Sequence, residues 1–216
     1  MERSISRFNP EGERAGIERA MAAFLLTAYG VPFIYFGEEI GMKNLFCNDM
    51  NKMNDVQGVT KYNIEINKGK SHKEALESAN NSSRDKSRSP MQWNNSKYYG
   101  FSEMKPWINI DDKKDIETVE YCENTSDSLL NLYKGLIKLR YNNECLLYGG
   151  YENISLYDDV LVFERKYKEQ KIKVIINFSN KKYKAEISGK ILYGKIEKDK
   201  NIILEPYEFT IILLKN

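Results

Sequence analysis

The chain reads as α/β in its first part and all-β after Gly150. Three observations predict this. A helix-forming segment at 12–28 leads through Gly30 into the apolar run Val31-Pro-Phe-Ile-Tyr-Phe36 and then Gly37, the grammar of a buried parallel strand. A leucine-striped helix is expected over Ser128 to Asn142. After Gly149-Gly150 the pattern changes to short β-rich runs separated by turn residues.

In the first helix, charges crowd the N-terminal half, and Ile17, Met21, Phe24, Leu25 and Ala28 share the expected core face. Gly30 stands where a left-handed C-terminal cap belongs, and Pro32 forces an extended start to the apolar run. Residues 43–70 are polar, rich in Asn, Lys and Met, and read as a long functional or disordered loop. Ser71 with Glu74 forms a capping-box signature for a helix over His72 to Ala79, which makes His72, the chain's one histidine, an exposed polar residue.

Residues 96–112 read as loop, with Pro106-Trp107 as an anchored turn. Ser126 or Asp127 is expected to cap the next helix, whose stripe is Leu129, Leu132, Leu136 and Leu139, widened by Leu130, Tyr133 and Ile137. Strands are expected at 160–163, 173–178, 183–187, 191–193, 202–204 and 209–214. Turns are expected at Asp158-Asp159, Ser179-Asn180, Ser188-Gly189 and Asp199-Lys200, the pattern of a small antiparallel sandwich.

Composition excludes several function classes. With 33 basic and 31 acidic residues, the net charge of +2 provides no field for nucleic acid or acidic membranes. The Lys-rich stretches at 166–173 and 195–200 are interrupted by Glu or Asp and read as solvated faces and turns. Cys47, Cys122 and Cys145 are widely spaced, which argues against a disulfide framework and a zinc site; no cofactor is expected. The longest apolar-rich stretch, Ala20 to Tyr29, falls short of the roughly 20 residues that cross a bilayer, and residues 1–14 lack a signal-peptide core, so a cytoplasmic setting is the default.

The chemistry-bearing segment is Ser83-Arg84-Asp85-Lys86-Ser87-Arg88-Ser89-Pro90-Met91-Gln92-Trp93. Two arginines, an aspartate and an amide stand beside a proline and a tryptophan, with neither helical nor strand period. Such a loop is suited to holding polar groups towards a sugar. A further feature is an imbalance. A parallel strand needs neighbours reached by crossovers, yet the first 125 residues offer one such strand and no partner, as in a piece of a larger α/β domain.

Several segments, in order, resemble the end of the oligo-1,6-glucosidase and alpha-glucosidase branch of the alpha-amylase superfamily. Arg3-Ser-Ile-Ser-Arg-Phe8 resembles the stretch after that family's Asn-His-Asp motif. Gly30-Val-Pro-Phe-Ile-Tyr-Phe-Gly-Glu-Glu-Ile-Gly-Met42 is similar to its eighth barrel strand and following loop. Ser83 to Trp93 is similar to its Arg-Asp…Arg-Thr-Pro-Met-Gln-Trp motif. Gly100-Phe101 and Lys105-Pro-Trp-Ile108 match the segment after it, and Ser128 to Arg140 its last barrel helix.

The resemblance implies the C-terminal part of a (β/α)8 TIM barrel over residues 1–145 and a small antiparallel β-sandwich over 146–216. A complete barrel takes roughly 250 residues. It also implies a retaining glycosidase with two carboxyl groups about 5 Å apart. These come from strands four and five, and a third, supporting aspartate ends the Asn-His-Asp motif; all three would precede Met1. No catalytic residue is therefore assigned to the chain, and it is expected to be inactive alone, through an internal start, a split gene or a frameshift.

Arg84 matches the family arginine that reaches the sugar beside the cleaved bond; the alternative is a loop arginine paired with Asp85. Arg88 is expected to brace the loop and Trp93 to anchor it in the core. Arg3 and Arg7 are expected to flank the site. Asp55-Val-Gln57 falls where the family carries an acidic segment on the leaving-sugar side, and Gln57 replaces an acid there. Glu38 and Glu39 lie at the barrel's active face, but neighbours in extended chain point to opposite sides, so a structural role is assigned to them, with Glu39 near the site.

The implied partner is an oligosaccharide, met through the complete parent enzyme, with a missing N-terminal barrel chain as a second partner. The alternatives are a non-catalytic carbohydrate-binding or partner-binding β module and one half of a two-chain glucosidase. The linkage cleaved stays open between α-1,4, α-1,6 and a phosphorylated disaccharide. The orphan strand predicts poor solubility or self-association.

Overall fold

The structure is a computed structural model that describes residues 2–110, 117–194 and 201–215. Its elements in chain order are α1 (Ser4–Phe8), α2 (Ile17–Thr27), α3 (Val56–Asn67), α4 (His72–Ser82), α5 (Val119–Asn124), α6 (Leu129–Tyr141) and α7 (Glu144–Tyr148). The strands β1 (Gly150–Tyr157), β2 (Val160–Tyr167), β3 (Gln170–Asn177), β4 (Tyr183–Glu186), β5 (Gly189–Tyr193), β6 (Asn201–Leu204) and β7 (Phe209–Leu214) follow. The turn expected at Asp199-Lys200 and the stretch 195–200 lie outside the described residues. The chain divides into two compact units, one of Met1–Phe8 with Tyr35–Ser126 and one of Asn9–Ile34 with Asp127–Asn216.

In the second unit, five strands form an antiparallel sheet ordered β1-β2-β3-β7-β5, with alternate side chains on its two faces. Phe163, Ile172, Val174, Ile176 and Ile211 face one way and pack with Ala20, Ala23 and Leu26 of α2, Leu132 and Leu136 of α6, and Leu146 of α7. Val160, Ile175 and Ile212 face the other way, against Ala185, Ile202 and Leu204 of a separate β4-β6 ladder. The β2–β3 register runs unbroken from Val160↔Asn177 to Tyr167↔Gln170. Asp158 and Asp159 both take positive φ, 45° and 64°, as a two-residue hairpin turn requires. The first strand, β1, was not foreseen: its exposed Ile154, Leu156 and Tyr157 and a register shift between Glu152 and Ser155 blur the alternation.

The C-terminal end of α2 leaves carbonyls that its own helix cannot satisfy. Two buried arginines take them. Arg140 donates to the carbonyls of Leu26 (2.8 Å), Ala28 (2.9 Å) and Gly30 (2.5 Å). Arg165 donates to Thr27 (2.6 Å), Gly149 (3.0 and 2.5 Å) and Leu146 (3.3 Å), with the Tyr29 and Tyr151 rings against its guanidinium.

Several expectations are corrected here. The first helix begins at Ile17 rather than residue 12, and its core face is Ala20, Ala23 and Thr27 with Ile17 and Leu26; Phe24 points outwards. Small residues let α2 approach the sheet closely, which a search for large apolar residues misses. The helix closes on Ala28, with Gly30 at φ 106° two residues beyond. Ser128, not Ser126 or Asp127, caps α6 by accepting from Asn131 N–H, and Ile137 is exposed. The run 31–36 is not a strand. It has no ladder partner among the described residues, and Val31 and Phe33 are 78% and 85% exposed.

The first unit corrects the reading of 43–70 as irregular, because α3 fills most of it and packs against α4 as a helical hairpin. Gly58 permits that approach: a Cβ there would lie 2.2 Å from Met53 Sδ and 2.9 Å from Ser83 Cβ. The buried Glu65 carboxylate gathers Lys61 (2.8 Å), Lys68 (3.3 Å) and Lys70 at the far end of α3. The Ser71–Glu74 capping box at the start of α4 is present as expected. His72 is exposed and bonded to the Tyr62 hydroxyl.

Candidate functional site

The segment after α4 is built as a rigid loop. Ser83 closes the helix and Asp85–Ser87 form a single 3-10 turn. Ser83, Asp85, Lys86, Ser87 and Ser89 are buried, whereas Arg84 and Arg88 project outwards. The turn is tied on several sides. The Lys86 ammonium donates to Asn81 O (2.7 Å) and Glu2 (3.2 Å), the Lys86 carbonyl accepts from Leu45 N–H (2.8 Å), and the Ser87 carbonyl accepts from the Tyr35 hydroxyl (3.0 Å).

Arg84 pairs with Asp55, not with its neighbour Asp85. Asp55 stands immediately before α3, and its Oδ1 accepts from Arg84 Nη2 at 2.7 Å and Nε at 3.2 Å, while Oδ2 accepts the Arg84 backbone N–H at 2.7 Å. Asp85 returns the favour in the opposite direction, its Oδ2 accepting Asn54 N–H (2.7 Å) and Asp55 N–H (2.8 Å). The fork geometry suits a guanidinium–carboxylate pair. The Arg84 hydrogen bond holds the Asp55 carboxyl down at about 2, and the same pair raises the Arg84 pKa. The Asp55 side chain is buried, yet that of Arg84 remains 46% exposed. The guanidinium is thus fixed on one edge and open on the other.

The remaining singled-out residues scatter. Gln57 is exposed on the first turn of α3. Arg7 is exposed and stacks over Phe8. Arg3 is fully buried. It donates to Phe36 O at 2.8 Å and sits against the Tyr35 and Phe36 rings, and burial pushes its pKa down. Glu38 and Glu39 lie in a 3-10 turn between Gly37 and Gly41, so the argument from extended chain does not apply to them. Glu38 takes up hydrogen bonds from the Ser4 hydroxyl and Tyr35 N–H. Gly37 has φ 86°, and a Cβ there would meet Met42 Sδ at 2.3 Å and Arg3 Nη1 at 2.9 Å.

Trp93, expected in the core, is 49% exposed, and Trp107 is 73% exposed; the anchor of the second turn is the Trp107 carbonyl, which accepts from Asn54 Nδ2 at 3.1 Å. Both indoles line a cavity of about 420 Å³ together with Phe36, Phe101, Glu39 and Arg88. Sequence reasoning missed this cavity, although each of its walls falls in a segment singled out for another reason. Among the described residues no group of three or more His, Cys, Asp or Glu side chains is placed to hold a metal ion, and no helix is long and apolar enough to cross a membrane.

Comparison with known proteins places the chain in a family. The Bacillus cereus oligo-1,6-glucosidase is 32% identical over 99% of this chain and 41% of its own length. The Escherichia coli trehalose-6-phosphate hydrolase is 35% identical over 82% of this chain and 32% of its own length. Among solved structures, a Bacillus licheniformis trehalose-6-phosphate hydrolase superposes with a TM-score of 0.86 at 30% identity, covering 100% of this chain and 42% of that one. The chain therefore spans about two fifths of the length of such relatives. Residues 1–149 match the alpha-amylase catalytic domain, and with these relatives the chain belongs to the alpha-amylase superfamily, on its oligo-1,6-glucosidase and alpha-glucosidase branch.

Proposed function

We propose that these residues form the C-terminal part of a cytoplasmic, retaining alpha-glucosidase that hydrolyses short α-linked gluco-oligosaccharides. In this reading residues 1–145 complete a (β/α)8 barrel and 146–216 form its β-sandwich domain. Arg84 contacts the sugar beside the cleaved bond. One carboxylate of the remaining barrel attacks the anomeric carbon while a second protonates the leaving oxygen, and water then releases the glycosyl group. The observation that carries the reading is Arg84 itself. Its guanidinium is oriented by a buried carboxylate and keeps nearly half its surface free for a hydroxyl-rich ligand. Glu38 and Glu39 provide no alternative catalytic pair, since Glu38 is engaged by Ser4 and Tyr35.

Two measurements test this. Residues 1–216 alone should not turn over 4-nitrophenyl α-glucoside above a mock preparation; turnover would overturn the assignment of the catalytic carboxylates elsewhere. In an enzyme completed by the rest of the barrel, Arg84→Lys keeps the charge but loses the fork, and kcat/KM should fall by about a hundredfold. An unchanged kcat/KM would remove Arg84 from the site. The exposed Val31 and Phe33, in the segment that resembles a barrel strand, support a covering barrel portion, whether in the same polypeptide or in a separate chain. Co-expression with a separate chain should restore activity and co-purify; failure of both would exclude that arrangement.

A further inference from the structure

Arg3 is fully buried in the first unit, and its bonding is incomplete. Nη1 donates to Phe36 O at 2.8 Å, and the guanidinium lies over the Tyr35 and Phe36 rings, but Nε and Nη2 find no acceptor among the described residues. Close by in the chain from Phe36 stands an acceptor in the opposite condition: Glu39 Oε2 is buried and finds no donor among the described residues. A buried donor or acceptor left without a partner is costly, and more so on a charged group. One fork between the guanidinium and the carboxylate would satisfy all of these atoms together.

The carboxylates whose charge acts on Arg3 are those of Glu38 and Glu39. Glu38 is already engaged, Oε1 by the Ser4 hydroxyl and Oε2 by Tyr35 N–H at 3.3 Å, which leaves Glu39. Glu39 rides on a 3-10 turn, Glu38–Ile40, bounded by Gly37 at φ 86° and Gly41 at φ 70°. Two glycines in the left-handed region give that turn a point of rotational freedom at each end. The turn also rests against Arg3, since a Cβ on Gly37 would come within 2.9 Å of Arg3 Nη1. As described, Glu39 forms part of the wall of the cavity between Trp93 and Trp107.

We propose that Glu39 turns out of this wall, about Gly37 and Gly41, to pair with Arg3, so that the wall has two states set by a buried ion pair. The glucosidase reading contains no such movement, and the proposal uses no step of that reading.

The protein supplies its own reporter. Trp93 and Trp107 are the only two tryptophans in the sequence, and both lie in the same unit as the pair, so their emission follows that unit. Urea denaturation of the full chain, read by this emission, compares Arg3→Met, Glu39→Gln and the double variant. Each single change leaves the opposite charge buried without its partner, whereas the double change removes both. The double variant should therefore unfold with an equilibrium constant about tenfold or more below the product of the two single effects, the scale of a charged hydrogen bond. Single effects that simply multiply would overturn the pair. Emission of the folded parent should match that of Glu39→Ala, whose wall carries no carboxylate, and differ from that of Arg3→Met, in which Glu39 has no cation to turn to. A parent that matches Arg3→Met would overturn the movement.

If Arg3→Met does not fold, proton NMR of the parent and of Glu39→Gln needs no change at Arg3. The Arg3 Nε–H resonance should move upfield in Glu39→Gln. A resonance that stays in place would overturn the proposal. So would a cross-peak from Nε–H to water in the parent, by putting solvent where the carboxylate belongs.

Discussion

Asp55 and Arg84, 29 residues apart, hold each other through both backbone and side chain, the carboxylate taking the Arg84 N–H at 2.7 Å and its Nη2 at 2.7 Å. The pair fixes the start of α3 to the end of α4, and through Asp85 the attachment runs in both directions. Because the folded Asp55 carboxyl sits at about 2, below its ordinary 3.8, its contribution to stability is complete above about pH 4 and is lost as pH falls through 2. Asp55→Asn should therefore be less stable than the parent at neutral pH, with the gap closing between pH 4 and 2. Urea denaturation at pH 6, 4 and 2.5 reads this directly; a gap that stays constant with pH would mean that the ion pair contributes nothing to stability.

Glu65 makes a second acid-sensitive point in the same unit. Hydrogen bonding by Lys61 first, then by Lys70 and Lys68, brings its carboxyl to about 2, below the ordinary 4.5. Its contribution is again present above the ordinary value and lost as pH falls towards 2. Glu65→Gln leaves three ammonium groups around a neutral amide, so destabilisation should be greatest at low ionic strength. Salt screens the half-exposed lysines, and melting in 20 mM and 1 M sodium chloride should show the gap narrowing by more than half at the higher salt, where the Debye length is about 3 Å. A salt-independent gap would assign the effect to lost hydrogen bonds alone.

What could be read from the sequence was local. The Ser71–Glu74 cap and the Asp158-Asp159 turn are chemical signals carried by adjacent residues, and both are present. The runs that form β2, β3 and β7 were legible as strands because each is short, apolar and bounded by turn residues, and both faces of each meet a core. The errors came where distant residues decide. Helix α3 is rich in Gly, Thr, Asn and the β-branched Val and Ile, which give it little intrinsic strength, and its support comes from α4 and from Glu65's lysines. The apolar run 31–36 signals burial, but burial of a strand needs partners, and none is supplied by the described residues. Arg84's position on an outward loop was legible; Asp55 was not legible as its anchor, because the adjacent Asp85 satisfies the local rule equally well.

The exposure of Val31 and Phe33 has a consequence in solution. Burying an apolar side chain of this size is worth about 1.5–3 kcal/mol, and Tyr29 adds a further exposed ring close by in sequence. The chain should self-associate, and Val31→Ser with Phe33→Ser should shift it towards monomer without lowering its melting temperature, because neither side chain packs in a core. Light scattering coupled to size-exclusion chromatography measures the shift. A monomeric parent chain would remove this surface as a source of association.

Arg165 is the most demanding element of the second unit, a cation with 0% exposure whose hydrogen-bond partners are the carbonyls of Thr27, Leu146 and Gly149. Burial pushes its pKa down, and Arg140 adds repulsion. Two physical arguments oppose each other here. Replacing a buried charge by a hydrophobic residue of similar volume can be neutral or stabilising, because the desolvation cost disappears. But each carbonyl stranded without a donor costs about 1–3 kcal/mol, and here three would be stranded at the ends of α2 and α7. The carbonyl count should prevail. Arg165→Lys, whose single ammonium cannot span Thr27 and Gly149 together, should lose about 1–3 kcal/mol, and Arg165→Met should lose more. At roughly 2–4 °C per kcal/mol for a chain of this size, thermal melts separate the three proteins. A methionine variant that melts with or above the parent would show that the desolvation cost of Arg165 outweighs the hydrogen bonds it gives.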